Sequence, residues 1–376
     1  MTSDPWATHA RALANRVSHP GSRWYPAIAG TPRHEFVPAW WVQSRGEWVL
    51  RSGPLADAYA DRSLVTRVGT LHADHAAKGD HPRGRSTSSS TLPGLVLRMY
   101  QHAQLGRGLH IADIGTGSGY GAALLALRYG NDHVTTMDVD PYLVDVAAQR
   151  LAALDLHPTV LEVDATGPLP GEYDRIVSMV SVRSIPPSWL TALRPGGRLV
   201  TTITGTWMIL TVTRTPNGVV GQVERDWAGF MGARSGPDYP PSAVDFGLLA
   251  VVDGEHVGTG RYPVIDVAEM PELGTMYALA VPDVQHRYRR ARDGQQTAIM
   301  THPDGSWARA TAYGTEAPSV HQGGPRRLWD MLDDVRDDWA RRGWTPWLGA
   351  RATVDDDGTI RLTSGAWRAT IAASAP

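Results

Sequence analysis

The sequence predicts an α/β protein built on a doubly wound, mostly parallel sheet, with a helical and loop-rich region before it and an α+β region after it. Three observations carry this. Between Pro93 and Ile203, short apolar runs alternate with amphipathic runs in units of about 25 residues, as β/α/β crossovers require. Gly115, Gly117 and Gly119 stand at alternate positions at the end of one apolar run, where a strand must turn into a helix. After Thr204 the alternation stops and strand-like pieces dominate.

Taken in order, Pro5–Val17 has Ala7, Ala10, Leu13 and Ala14 at helical spacing. Residues 68–90 read as loop, punctuated by Gly69, Gly79, Pro82 and Gly84 and crowded with Ser and Thr at the end. Leu95, Val96, Met99 and Tyr100 predict a helix; Leu109–Ile114 a strand; Tyr120–Tyr129 a helix; His133–Asp138 a strand; and Pro141–Leu154 a helix. Thr159–Val163 and Tyr173–Val180 read as strands, Pro186–Leu193 as a short helix, and Gly197–Thr204 as the strand after a Pro195-Gly196-Gly197 turn. Trp207–Thr213 and Gly218–Glu224 flank Thr215-Pro216-Asn217 and predict a hairpin. Arg326–Arg342 predicts a helix with Leu328, Leu332, Val335 and Trp339 as its buried stripe. Asp337/Arg341 and Asp338/Arg342 are its i,i+4 pairs, Asp333, Asp334, Asp337 and Asp338 its solvated face, and Gly343 its stop.

Composition narrows the chemistry. The 376 residues contain no cysteine, which excludes disulfides, thiolate nucleophiles and Cys-ligated metals. Lys78 is the only lysine, in a stretch read as loop, so Schiff-base chemistry has one poor candidate. A net charge of −2 gives no basic footprint for nucleic acid or anionic lipid. No basic-then-apolar leader is visible at the N-terminus, and every apolar run is far shorter than the ~20 residues a membrane span needs. A cytoplasmic location is the expectation.

Ile111-Ala112-Asp113-Ile114-Gly115-Thr116-Gly117-Ser118-Gly119-Tyr120 is the most informative segment. Its glycines let a ligand approach the backbone, and the following helix offers unpaired N–H groups. Asp138 ends the next strand, 19 residues after Gly119, where a carboxylate accepts from a ribose diol, with Val139 behind it. Asp164 and Ala165 end the third strand, where an adenine would lie. Two cofactors fit the crevice. Gly117-x-Gly119-x-x-Ala122 formally matches a dinucleotide fingerprint. The tighter pattern, Asp-x-Gly-x-Gly-x-Gly, places an anion on the strand, which repels a pyrophosphate and suits an ammonium. That favours S-adenosylmethionine, with S-adenosylhomocysteine as product, over NAD(P) or a ligand-free structural turn. The fold expected is therefore a Rossmann-like S-adenosylmethionine-dependent methyltransferase sheet.

Over about residues 24–235 the chain resembles the protein-L-isoaspartate (D-aspartate) O-methyltransferases. The resemblance rests on Thr31-Pro32-Arg33-His34-Glu35-Phe36-Val37-Pro38, Ala58-Tyr59-Ala60-Asp61, the Asp113–Tyr120 motif, Ile185-Pro186-Pro187 and Leu193-Arg194-Pro195-Gly196-Gly197-Arg198-Leu199. Ser88-Ser89-Ser90-Thr91-Leu92-Pro93 sits where the family has its Thr-Ile-Ser-x-Pro active-site loop. The resemblance implies methyl transfer to a carboxylate of a peptide substrate. Thr91 takes the place of the active-site serine if Pro93 anchors the register, and Ser90 or Ser89 takes it if the register slips. Arg33 and Asp61 read as structural.

Three departures point to a specialised substrate: threonine for serine, an apparent insertion at 72–87, and Arg183 in Ser181-Val182-Arg183-Ser184, a candidate substrate-binding segment through Ser181, Val182 and Arg183. The domain reading is a catalytic unit over 1–235 (an N-terminal region to 85, then a Rossmann-like core) and a substrate-recognition region over 236–376, without counterpart in ordinary repair enzymes. The chain looks most like the long actinobacterial-type members associated with ribosomally made, modified peptides such as graspetides, lanthipeptides and lasso peptides. That implies methylation of an aspartate in a macrocyclic precursor, the ester then closing to aspartimide and hydrolysing to isoaspartate. Repair of isoaspartyl residues in damaged proteins is the alternative, and a non-catalytic peptide-binding module the second. His72, His75 and His81 with Asp74 and Asp80 read as a polar loop rather than a metal site, and no metal is expected. The sequence leaves the oligomeric state open.

Overall fold

The computed structural model describes residues 4–239 and 246–374. Its centre is a ten-stranded sheet. Five parallel strands lie in the spatial order Leu193–Ile203, Tyr173–Val182, Ile111–Ile114, Val134–Asp138, Thr159–Glu162. The reversal of strand order beside Ile111–Ile114 opens the crevice at which doubly wound sheets bind ligands. Helices Pro93–His102, Tyr120–Tyr129 and Pro141–Ala152 form within a residue or two of expectation. Tyr120–Tyr129 buries Ala122, Ala123, Leu124 and Leu125, which form one core with Ile111, Val134, Val177 and Val200.

The hairpin Met208–Thr215/Gly218–Trp227 also forms, with Thr215 opposite Gly218 across the Pro216-Asn217 loop. It continues the sheet in antiparallel sense. Arg351–Val354, Ile360–Ser364 and Trp367–Ile371 then extend the same sheet from the edge of Gly218–Trp227. The boundary expected at 235 is therefore no boundary of the sheet. Ile360 and Leu362 share a core with Leu210, Val212 and Val223, each such aliphatic burial stabilising by about 1.5–3 kcal/mol. Gly358 is required here: a Cβ on it would lie 2.0 Å from the Ile185 carbonyl oxygen.

Residues between these segments build a second, antiparallel sheet, ordered His256–Thr259, Ser319–Gly323, Trp307–Tyr313, Gln295–Thr301, Gln285–Arg290. Helices Pro271–Ala280 and Leu328–Arg342 cover one face through Leu273, Tyr277, Leu328 and Leu332. Leu328–Arg342 starts two residues later than expected and stops at Gly343 with φ +66°. Its acidic face is not simply solvated. Asp333 is buried on Arg336 at 3.2 Å and accepts from the Arg261 backbone N–H, while Asp337 pairs with Arg261 rather than Arg341. Only Asp338/Arg342 forms as an i,i+4 ion pair.

The N-terminal region contains the helix Pro5–Val17 and a small antiparallel sheet of Trp40–Ser44, Glu47–Arg51, Leu64–Val68, Leu71–His72 and Ser86–Ser90. The 68–90 stretch is thus not all loop. Ser86–Ser90 pairs with Leu64–Val68, with Leu64 opposite Ser90 and Val65 opposite Ser89. Five consecutive Ser/Thr residues carry no period-2 hydrophobic signal, so this strand is set by its partner rather than by its own pattern.

Candidate active site

The glycine turn is held from behind. The N–H groups of Gly115 and Thr116 donate to the Met137 carbonyl at 2.8 and 3.1 Å. Gly117 N–H donates to Asp138 Oδ2 at 2.9 Å, and Asp140 N–H to Asp138 Oδ1 at 3.1 Å. Gly117 and Gly119 take φ +52° and +86°, a region open to glycine at little cost. A Cβ on Gly117 would meet the Ser89 carbonyl oxygen at 3.3 Å, so the turn lies directly on the strand carrying the serine run.

Behind the turn runs a hydroxyl relay. Thr136 Oγ1 donates to Asp113 Oδ2 at 2.9 Å, which leaves Thr116 to donate to Thr136 at 2.7 Å. Asp113 is buried, and its Oδ1 has no hydrogen-bond partner among the described residues. Burial pushes its carboxyl up to about 7, partly offset by Thr136. A buried acceptor with no cation beside it fits a cationic ligand and disfavours a pyrophosphate.

Ser89, Ser90, Thr91, Asp113, Gly115, Thr116, Ser118 and Tyr120 line one cavity, closed by Val96, Gly121 and Met179. The glycine motif and the serine–threonine run, more than twenty residues apart in the chain, therefore share a chamber. None of the Ser89, Ser90 and Thr91 hydroxyls has a hydrogen-bond partner among the described residues. The run is positioned by Arg33, fully buried, which donates to the carbonyls of Ala58, Ala60, Arg62, Ser90 and Thr91 at 2.8 to 3.4 Å. Asp61 accepts from Gly94 N–H at 2.8 Å at the start of the next helix.

Other singled-out residues have local partners. Asp164 accepts from Thr166 N–H and Oγ1 at 2.9 and 2.6 Å, and the Ala165 carbonyl from Trp189 at 2.7 Å. Val139 is half-buried beside Asp138. Ser181 is buried against Thr204 Oγ1 and the Phe230 carbonyl, and its backbone bridges to Met231 and Ala233. Val182 is buried in the sheet opposite Ile203. Arg183 is exposed and pairs with Asp283 at 2.7 Å, so it is an anchor to the second sheet rather than a group inside the cavity. His72 lies 3.2 Å from Asp140, and Asp74 takes Tyr142 and Arg150, so these residues serve packing contacts.

One cluster was invisible in the sequence. Arg67, His72 and Arg234 converge on Asp140, at 3.3, 3.2 and 3.5 Å, all with nearly buried side chains. Burial alone would raise the Asp140 carboxyl, but His72 in contact with it and the charges of Arg67 and Arg234 outweigh that and hold it at about 2. The four residues span 167 positions of chain, and no local spacing links them.

The strand order, the glycine turn and the orphaned Asp113 define a Rossmann-like S-adenosylmethionine-dependent methyltransferase. A family model, "Protein-L-isoaspartate(D-aspartate) O-methyltransferase (PCMT)", matches residues 72–230. Curated relatives named protein-L-isoaspartate O-methyltransferase include one from Ignicoccus hospitalis, 34% identical over 34% of this chain and 64% of that protein. Another, from Bradyrhizobium sp. (strain ORS 278), is 30% identical over 46% of this chain and 73% of that protein. The chain belongs to this S-adenosylmethionine-dependent family. Other relatives of this name are covered over as little as 47% and as much as 80% of their length. A solved structure titled protein-L-isoaspartate O-methyltransferase aligns over 96% of this chain and 99% of its own, with TM-score 0.51 and 16% identity. That likeness of fold extends over nearly all of this chain, residues after 235 included. Among the described residues no helix is long and apolar enough to cross a membrane.

Proposed function

We infer that this protein transfers a methyl group from S-adenosylmethionine to an aspartyl or isoaspartyl carboxylate of a peptide or protein. The observation that carries this is the shared cavity, lined both by Asp113, whose Oδ1 has no hydrogen-bond partner among the described residues, and by the hydroxyl residues Ser89, Ser90 and Thr91. The bound cofactor supplies a methyl group on a positively charged sulfur. Asp113 Oδ1 holds the ammonium of its methionine part, Asp138 the ribose diol, and the Asp164–Ala165 turn borders the adenine. Thr91, with Ser90 and Ser89, orients the acceptor. A carboxylate with pKa near ~3.9 is already ionised at pH 7, so no side chain need remove a proton. With the cofactor bound, an acceptor carboxylate oxygen would take the methyl group as the carbon–sulfur bond gave its electron pair to sulfur, so the residues here need only orient the acceptor. Holding the two in line is the protein's part, and Val96 and Met179 give the cavity an apolar border beside that line.

Two substrate readings share this chemistry. Threonine at position 91 and the insertion before it favour an aspartate in a modified, macrocyclic precursor peptide, whose ester closes to aspartimide. The family match and the relatives named protein-L-isoaspartate O-methyltransferase favour isoaspartyl protein at least as well. Incubation with cofactor and three substrates separates them by mass spectrometry: a cyclised precursor, its linear form, and an isoaspartyl test peptide. A methyl gain or water loss on the cyclised peptide alone supports the first; methylation of the isoaspartyl peptide alone supports the second. Cofactor binding without any turnover leaves a peptide-binding module.

A further inference from the structure

The second sheet ends on a basic strand whose outer edge meets no other described strand. Gln285–Arg290 pairs with Gln295–Thr301 on one side and with no described strand on the other. Alternation sends Tyr288 into the core under the helices and His286 against Tyr277, whereas Arg287, Arg289 and Arg290 are exposed, as is Arg292 just beyond. Among the described residues none of these four guanidinium groups meets a carboxylate; Arg287 only covers the Phe246 ring at 4.3 Å. Elsewhere in the same region arginines are matched: Arg261, Arg326, Arg336 and Arg342 each pair with an aspartate.

The strand also begins beside the end of Tyr173–Val182 in the central sheet. Asp283, two residues before it, pairs with Arg183, the residue after Tyr173–Val182. That strand contributes Met179 to the cavity.

We propose that the Gln285–Arg290 edge binds an acidic, extended segment of the peptide substrate as an added strand. Backbone N–H and C=O groups along the edge supply the pairing, and Arg287 and Arg289, two residues apart on one face, meet carboxylates on alternate residues of the incoming chain. Arg290 and Arg292 extend the positive field along the edge. This rests on the reading of the protein as a peptide methyltransferase and adds the class of peptide it selects.

The test is fluorescence anisotropy with the full chain and a labelled peptide of alternating Glu and Thr, read without cofactor. The expected result is salt-sensitive binding, weakened about tenfold or more in the triple variant R287E/R289E/R290E. The Lys-for-Glu peptide does not bind. Two versions N-methylated at alternate residues, each blocking one edge of an extended peptide, test the pairing without altering the protein; one of them loses binding. No binding of the Glu peptide, equal binding by the variant with an unchanged melting curve, or full binding of both N-methylated peptides overturns the proposal. In the first two cases the arginines only protect a sheet edge from aggregation. Binding with no methylation of any peptide would instead refute the enzymatic reading.

Discussion

Arg33 Nη2 lies 3.3 Å from the carbonyl oxygen of Thr91, so a guanidinium fixes the backbone of the residue expected to orient the methyl acceptor. The same side chain reaches Ala58, Ala60, Arg62 and Ser90, all through main-chain oxygens. Burial pulls its pKa down to about 10, which still leaves it charged at neutral pH. It is a positioning residue that ties the N-terminal region to the active-site strand.

Arg33→Leu leaves those carbonyls without a donor and costs on the order of 3–5 kcal/mol, read as a lower urea midpoint. Arg33→Lys keeps the charge but has too few donors for five carbonyls, and is expected between wild type and Arg33→Leu.

Thr91→Val is nearly isosteric and removes only the hydroxyl. Loss of a hydrogen bond to a charged acceptor is worth about 1.5–3 kcal/mol, so kcat/KM falls about 10- to 100-fold while cofactor affinity holds. Thr91→Ser retains most of the activity. If Ser90→Ala or Ser89→Ala carries the loss instead, the register of the catalytic hydroxyl is shifted by one or two residues.

Asp113 makes the cofactor-free protein less stable as pH rises. Its carboxyl sits near about 7 when folded and near ~3.9 when unfolded, so between those values the folded state holds the extra proton. Stability present below about 4 is lost progressively up to about 7, and a cationic ligand reverses the loss. Thermal melting from pH 4 to 8, with and without S-adenosylmethionine, shows a cofactor-induced shift that grows with pH. Asp113→Asn flattens the cofactor-free profile and weakens cofactor binding, measured by calorimetry.

Asp140 acts in the opposite sense. Held at about 2, below its unfolded value, it contributes stability above about pH 4 that is lost as pH falls through about 2. Asp140→Asn costs about 2–3 kcal/mol at pH 7 and leaves Arg67 and Arg234 without their shared carboxylate. Urea unfolding at pH 7 and pH 3 checks it: the difference between variant and wild type narrows in acid.

Removing residues 351–376 uncovers the edge of Gly218–Trp227 and the core around Val219 and Val223. The shortened chain is expected to aggregate, by light scattering, rather than to survive as a free catalytic domain.

The sequence by itself determined the parallel sheet, the cofactor turn and the residue types of the cavity, because these are local: short apolar runs alternating with amphipathic ones, a glycine pattern that permits positive φ, and carboxylates in or just after the strands. Tertiary structure alone decided what depended on partners distant in the chain. Ser86–Ser90 is a strand only because Leu64–Val68 pairs with it. Arg183 lies outside the cavity on Asp283, and Asp140 collects Arg67, Arg234 and His72, which share no spacing with it. The last three strands join the catalytic sheet because the hairpin before them ends with an unpaired edge and an apolar face to cover. Such pairings are set by which backbone edges and charges remain unsatisfied once the local elements have formed, a property of the assembled chain and not of any window of it.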